Sequence, residues 1–471
     1  VLETAKDLGD PGVDSVYGWG LLDVEAAQSP LNFDDLFVYQ STANGGFTTT
    51  TPSALRDLIL TPGQLNLWET QGASIVAIEL IDGTHRDFRI PLSTMLYGDS
   101  GTFNGQTEQY QRHVHDRLIE WANGTSGLMS SFDAPVANHF GWSLSFNAAP
   151  ASRFTPISKS SQPYEAQWRL QSNDGRTVIL GGDGAGGLSF MSGKNFDHYT
   201  DYDPDLGGVN PFLGMAAGGA YANAATMLTP KLQVGLGLAK VENRDEYVDP
   251  SSGELIDLLP TIDSYRAQAV TMNVVYAAAK NVTLNASMTR LDEGASLLGA
   301  QGAGAFAFND GAATNSLTLG ATYDVDPNFS VSASATSGVT TARSGLDQSI
   351  GVADGGLIST AFQITGAAKT VFRKNDSLRM TIAQPLHVES GALEYQSIQV
   401  VDRTTGELGL ASEFWSLGGG SRRLVAEGQY AVPVLEGRAE ASLYGRTDVG
   451  EIDIGGAYDA YAGGVRFKFD F

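Results

Sequence analysis

The stretch Tyr461-Ala-Gly-Gly-Val-Arg-Phe-Lys-Phe-Asp-Phe471 decides how this chain is read. Successive side chains of a strand point to opposite faces. Tyr461, Gly463, Val465, Phe467, Phe469 and Phe471 therefore share one face, and Ala462, Gly464, Arg466, Lys468 and Asp470 the other. The first face is apolar and the second charged. About 9–11 residues of such alternation suit a tilted crossing of a hydrocarbon layer. No polar tail follows Phe471, and no Pro or charge blunts the apolar face, as an exposed edge strand in water would require.

The same alternation recurs upstream. Leu232, Val234, Leu236 and Leu238 oppose Lys231, Gln233, Gly235 and Gly237. Val282, Leu284, Ala286 and Met288 oppose Thr283, Asn285, Ser287 and Thr289. Leu317, Leu319, Ala321 and Tyr323 oppose Thr318, Gly320 and Thr322, and Phe329, Val331, Ala333 and Ala335 oppose Ser330, Ser332 and Ser334. Leu378, Met380 and Ile382 oppose Arg379 and Thr381. Leu424, Ala426, Gly428, Tyr430 and Val432 form one further face, and Ala439, Ala441 and Leu443 oppose Arg438, Glu440, Ser442 and Tyr444. Short connections (Thr229-Pro230, Ala279-Lys280, Asp326-Pro327, Lys374-Asn375, Pro433 to Glu436) alternate with long polar ones: 242–261, 292–313, 341–356, 404–421 and 447–458. Short turns on one rim and long loops on the other fit a closed antiparallel barrel of about twelve strands, from about residue 210.

Composition narrows the function. The 471 residues carry a formal net charge of −24, which argues against nucleic acid as a partner, since phosphate binding needs clustered Lys and Arg. There is no Cys, which removes disulfide and thiolate chemistry and fits passage through an oxidising compartment. No apolar run approaches the roughly 20 residues of a membrane-spanning helix, and a barrel needs none. Val1 follows no signal segment, so a fragment or a processed product is expected.

The first 30 residues read as the edge of a larger α/β domain. Leu2 to Leu8 resembles a helix tail stopped by Gly9, Asp10-Pro11-Gly12 is a turn, and Leu21 to Ala27 begins a short helix closed by Ser29-Pro30. Asn32 to Tyr39 and Leu65 to Leu80 read as strands or connectors, Ser74 to Ile90 as a hairpin about Asp82-Gly83, and Leu92 to Tyr97 as a buried passage. Thr107 to Ala122 reads as an amphipathic helix with Tyr110, Val114, Leu118 and Trp121 on one stripe. His113 and His115 on that helix invite a metal reading. Two-residue spacing points them to different sides of a helix, so surface histidines are the better reading, and no metal or cofactor is assigned. Residues 130–161, rich in Ser, Ala, Asn and Pro, read as a linker. The run Gly181 to Gly187 mimics a phosphate loop, but a Gly-rich strand end is preferred.

Two resemblances carry functional weight. The terminal strand resembles the closing strand of bacterial outer-membrane barrels, and this implies an assembly signal at Val465, Phe467, Phe469 and Phe471, read by the barrel-assembly machinery. The run Thr4 to Gly9, Gly12-Val13-Asp14 and Tyr17-Gly18-Trp19-Gly20-Leu21-Leu22-Asp23 resembles the end of a subtilisin-like (S8) serine protease domain. That family's Asp, His and Ser segments would lie upstream of Val1, so no catalytic residue is carried over and the chain is expected to be inactive as a peptidase. Protease end, connector and terminal β-domain together are similar to a subtilisin-like autotransporter of type V secretion. Asp376 to Leu386 resembles a segment recurring in such barrels.

The expected organisation is a peptidase remnant over 1–30, a mixed α+β connector and linker over 31–160, and a β-domain over 161–471. The resemblance implies a barrel in outer-membrane lipid that exports its own N-terminal passenger to the cell surface. Arg438, Glu440, Arg466 and Lys468 are candidate lumen contacts to a threaded linker, with ordinary lumen polarity the simpler reading. A porin-like channel with a periplasmic extension predicts an open conducting lumen. A secreted β-rich adhesin predicts solubility without detergent, against which the apolar strand faces argue.

Overall fold

A computed structural model describes residues 4–41, 46–55, 59–60, 73–81, 84–92, 114–115, 118–119, 121–123, 137–150, 164–183, 202–203, 206–242, 246–248, 255–257, 265–302, 307–308, 310–342, 350–419, 422–435, 439–448 and 461–469. Fifteen strands form one antiparallel ladder. They are β1 Ala137–His139, β2 Trp142–Pro150, β3 Tyr164–Ser172, β4 Thr177–Asp183, β5 Ala220–Thr229, β6 Leu232–Glu242, β7 Arg266–Ala279 and β8 Val282–Gly294. The ladder continues with β9 Ala312–Asp326, β10 Phe329–Ala342, β11 Leu357–Lys369, β12 Ser377–Ser390, β13 Val425–Val434, β14 Ala439–Asp448 and β15 Tyr461–Phe469. Each pairs with its neighbour in sequence, so the sheet is a plain meander.

Period-2 alternation sets both the strands and the way they face. In β9, Leu317, Leu319 and Tyr323 are 46%, 53% and 47% exposed, while Thr318 and Thr322 are buried. Ser330, Ser332, Ser334 and Thr336 are buried in β10, and Thr365, Arg379 and Thr381 in β11 and β12. This reverses the rule for a protein in water, where large apolar side chains go inside. The inward hydroxyls satisfy each other across strands: Thr271–Thr289 at 3.0 Å, Thr314–Thr340 at 2.8 Å, Thr318–Thr336 at 2.9 Å and Thr365–Thr381 at 3.0 Å.

The sheet is curled. Asp203 contacts Arg446 of β14, while Asn210 donates to Thr289 of β8 at 3.0 Å. Six strand spacings would put β8 and β14 roughly 30 Å apart in a flat sheet. The short pairing of Tyr202–Asp203 with Gly207–Gly208 and the helical turn Pro211–Gly214 could not bridge that span. The segment therefore sits on the concave side. Asn210 caps the turn by accepting from Leu213 N at 3.1 Å. Phe212, fully buried, lies beneath Gly338 of β10, where a Cβ would stand 2.5 Å from its Cζ.

The connector lies at the rim of long loops. Strands Ser74–Ile81 and Thr84–Pro91 form the expected hairpin. Val38–Ser41 pairs with Phe47–Thr50. Both pack on a long hairpin, Ala392–Asp402 with Glu407–Ser416, inserted between β12 and β13. Residues 59–60 pair with 301–302 in another long connection.

Several expectations are corrected. Eleven ladder strands follow residue 210, where about twelve were expected, and four more that were not expected precede it, giving fifteen. Among the described residues no pairing joins β15 to β1 or β2, so the ladder is open where a closed barrel was expected. The linker read over 130–161 contains β1 and β2. Its composition hid the alternation of Trp142, Leu144 and Phe146 against Ser143 and Ser145. Residues 4–8 are not helical: Lys6 bridges Leu21 in an extended passage. The long loop placed at 404–421 is mostly hairpin. Gly181-Gly182-Asp183 end β4 as a strand, Val24–Gln28 is the short helix, and 184–187, 65–72, 93–97 and 107–113 lie outside the described residues.

Short turns are closed by side-chain acceptors. The buried Asp376 carboxylate takes Val371 N, Phe372 N and Arg373 N at 2.6, 2.9 and 2.8 Å and the Tyr430 hydroxyl at 2.8 Å. Burial pushes its pKa up, but these four donors outweigh it and hold the group below the ordinary Asp value. Its stabilising contribution is therefore complete above that ordinary value and is lost as pH falls through the depressed one. Asp376→Asn is expected to cost about 1–3 kcal/mol of unfolding free energy in detergent at neutral pH. The gap between variant and parent should narrow on acidification; a constant gap would refute the assignment.

Candidate functional site inside the sheet

The inner wall of β12, β13 and β14 carries three charges on adjacent strands. Register places Glu427 between Thr381 and Arg446, with Arg379 one diagonal step away. Arg379 Nη1 donates to Glu427 Oε1 at 2.9 Å. Arg446 donates from Nε and Nη2 to Glu427 Oε2 at 2.9 and 2.8 Å, and from Nη1 to Asp203 Oδ1 at 3.0 Å. All four side chains are essentially buried. Two guanidinium groups and two carboxylates sum to zero, and of these the three wall residues Arg379, Glu427 and Arg446 carry one net positive charge. Removing charges from water is costly unless each is paired with good geometry. Asp203, supplied by the interior segment, completes that pairing, and the planar fork of Arg446 suits two carboxylates at once. Arg423 adds a bond to Asp448 Oδ1 at 2.9 Å on the same wall.

A second piece of chain occupies the interior. Helical residues at 114–115, 118–119 and 121–122 place Val114 and Leu118, both fully buried, against Leu206, Ala383 of β12 and Val425 of β13. This is the C-terminal half of the helix read at 107–122; Tyr110 lies outside the described residues. His115 Nε2 stands 3.4 Å from Glu440 Oε2. Trp121 reaches the rim of short turns. Lys369 stacks over its ring at 5.0 Å, and the ring lines a cavity of about 450 Å³ with Asn281, Asp324, Asp326 and Pro327.

The residues expected to contact a threaded linker fare unevenly. Glu440 faces inward and meets His115 of the interior helix. Register puts Glu440 opposite Lys468 and Ser442 opposite Arg466. Arg438 and the side chain of Lys468 lie outside the described part. Val465 and Phe467 face outward, 63% and 62% exposed. Phe469 ends β15, and Phe471 lies beyond the described residues. His113 is also outside them, and His115 is a buried interior residue rather than a surface one. Among the described residues no three His, Asp or Glu side chains converge as metal ligands.

The quartet Arg379, Glu427, Arg446 and Asp203 was not singled out from the sequence. A signal existed: Arg379, Glu427 and Arg446 each fall on the inward phase of an alternating strand. Asp203 gives no local sign of its role, because its partners are over two hundred positions away.

No family model matches the chain, and no curated protein matches it. Among solved structures it is similar to OmpT folded in vitro, an outer-membrane protein of Vibrio cholerae, at 10% identity over 68% of this chain and 83% of that one, with a TM-score of 0.33. A loop-deleted form of OmpT aligns at 8% identity over 69% and 90%, TM-score 0.35. The CymD monoaromatic hydrocarbon channel aligns at 10% identity over 69% and 84%, TM-score 0.21. Superpositions this loose define no shared fold.

The quartet makes a quantitative expectation. Arg446→Met removes the guanidinium that bridges Glu427 and Asp203 and should cost about 3–5 kcal/mol in thermal or denaturant unfolding. Adding Asp203→Asn removes the surplus negative charge and should recover part of that loss. Additive losses in the double variant would show that the two residues do not share one site.

Proposed function

We propose that this chain is the outer-membrane translocator and anchor of a subtilisin-like autotransporter, with residues 1–30 the end of the exported protease. One observation carries the reading: described pieces of the N-terminal half stand at one rim of the curled sheet, inside it and at the opposite rim. The connector sits on the hairpin that extends from the end of β12 at the long-loop rim. Trp121 lies at the opposite rim, beside Lys369 and the turn at Asp324 to Ser330. Interior residues 114–122 lie between them, as expected of a linker that has followed its passenger outward.

The membrane reading is supported by the inverted faces. Leu236, Met288, Leu319, Met380, Ile382, Leu443, Val465 and Phe467 are all more than half exposed on the convex side. A continuous belt of this kind is paid for in water but favourable against lipid. Strand ladders also satisfy the backbone groups that hydrocarbon cannot. Val13, Val16, Tyr17, Trp19, Leu21 and Leu22 are exposed by 54–77%. This fits a segment shaped to dock on a protease body. Val465, Phe467, Phe469 and Phe471 remain the proposed assembly signal for the barrel-assembly machinery. An occupied interior disfavours the porin-like alternative.

The reading predicts sidedness. On intact cells, an epitope inserted at Gly46 should be reached by antibody, while one inserted in the β3–β4 turn at Asp174-Gly175 should be reached only after lysis. The protein should fractionate with outer membranes and run faster on unboiled gels. Equal accessibility of both tags, or recovery without detergent, would sink the proposal.

A further inference from the structure

The connector meets the long-loop rim of the sheet through an interface of its own. One face of the rim hairpin carries Leu393, Tyr395, Glu413 and Trp415. Leu393 and Tyr395 are fully buried and Trp415 nearly so, and the Tyr395 and Trp415 rings stack at 5.0 Å. They share one apolar cluster with Leu36, Val38, Ile75, Ala77, Ile90 and Leu92 of the connector. Buried aromatic anchors of this kind dominate binding energy at protein interfaces. Around them run directional polar contacts. Arg89 forms a two-pronged bond to Glu413, Nη1 to Oε2 at 3.0 Å and Nη2 to Oε1 at 2.8 Å. Arg403 Nη2 donates to Asp87 Oδ2 at 2.6 Å, and His85 Nδ1 lies 2.9 Å from the Gly406 carbonyl at the hairpin tip. The pairing of residues 59–60 with 301–302 is a second point of attachment.

We infer that this interface is a retention dock: residues 31–92 remain on the barrel rim after the chain is cut between the connector and the interior helix. The partner it fits is the connector itself, an apolar module rimmed by Arg89 and Asp87. A severed N-terminal part, whatever it carries, would stay displayed on the surface rather than diffuse away. The inference rests on the interface geometry and stands whether or not the cargo is a protease.

The test uses the full chain with a site for a sequence-specific protease inserted between Leu92 and Val114 and an affinity tag in the β3–β4 turn. After complete cleavage, verified on a denaturing gel, the tagged barrel is captured in detergent and washed. The N-terminal fragment should stay with the barrel at physiological salt. Arg89→Glu should speed its release by roughly tenfold, and Arg89→Glu with Glu413→Arg should restore retention. Tyr395→Ala with Trp415→Ala should abolish it while the barrel still runs as a folded species on unboiled gels. Release of the unaltered fragment on cleavage would overturn the dock. Retention unaffected by all of these variants would overturn the assignment to this face. Because export plays no part in the assay, failure here is distinct from failure of the translocator reading.

Discussion

Inversion of burial is the constraint on which the rest depends. A ladder with Leu, Met, Ile and Phe outward and Thr, Ser, Asn and Arg inward can be stable only if its convex side meets hydrocarbon and its concave side is wetted or filled. Strand edges then need neighbours, which favours a long meander with minimal turns. The inward hydroxyls need partners, and they find them across strands as Thr–Thr pairs. The interior then has to be occupied, and the chain supplies a segment that is polar at Asp203 and Asn210 and apolar at Phe212, Leu213 and Met215.

Charge decides which piece of chain that is. Glu427 between Arg379 and Arg446 leaves this three-residue cluster one positive charge in excess, buried where compensation by water is poor. Asp203 neutralises it with a carboxylate fixed by its own short pairing and by Leu206 N at 3.0 Å. The interior segment is thereby specified by position and by sign. The outer rim works differently. There the connector and the 392–416 hairpin join through an apolar patch and ion pairs that remain partly hydrated: the Arg89 side chain is 56% exposed. Such pairs contribute direction more than stability, and the aromatic centre contributes the binding.

Much of the fold was legible in the terminal strand and its repeats. Leu317, Thr318 and Leu319 declare their faces without any long-range information, because side-chain direction in a strand alternates by covalent geometry. The short turns were legible for a similar reason: Asp326 accepts from Asn328 N and Phe329 N within four residues. Composition misled where it outvoted period. The Ser- and Ala-rich passage around Trp142 reads as linker, although its alternation is that of a strand. The functional site was legible only in part. Glu440 was found because it lies beside the terminal strand, whereas Arg379 and Arg446 look individually like ordinary inward polarity.

The sequence by itself determined the alternating faces of the strands from β6 to β15 that it disclosed, the lack of any thiol, and the helical period of 107–122. These are local properties, set by spacing and residue type. Tertiary structure alone decided that, among the described residues, fifteen strands pair in one open ladder, that Val114 and Leu118 of the helix face the sheet's interior, that Asp203 answers Arg446 across more than two hundred positions, and that the connector rides on the 392–416 hairpin. Those outcomes depend on which distant surfaces meet. Nothing in a residue's immediate neighbours fixes that, because pairing of charges and burial of apolar faces are settled only when the whole chain has closed around them.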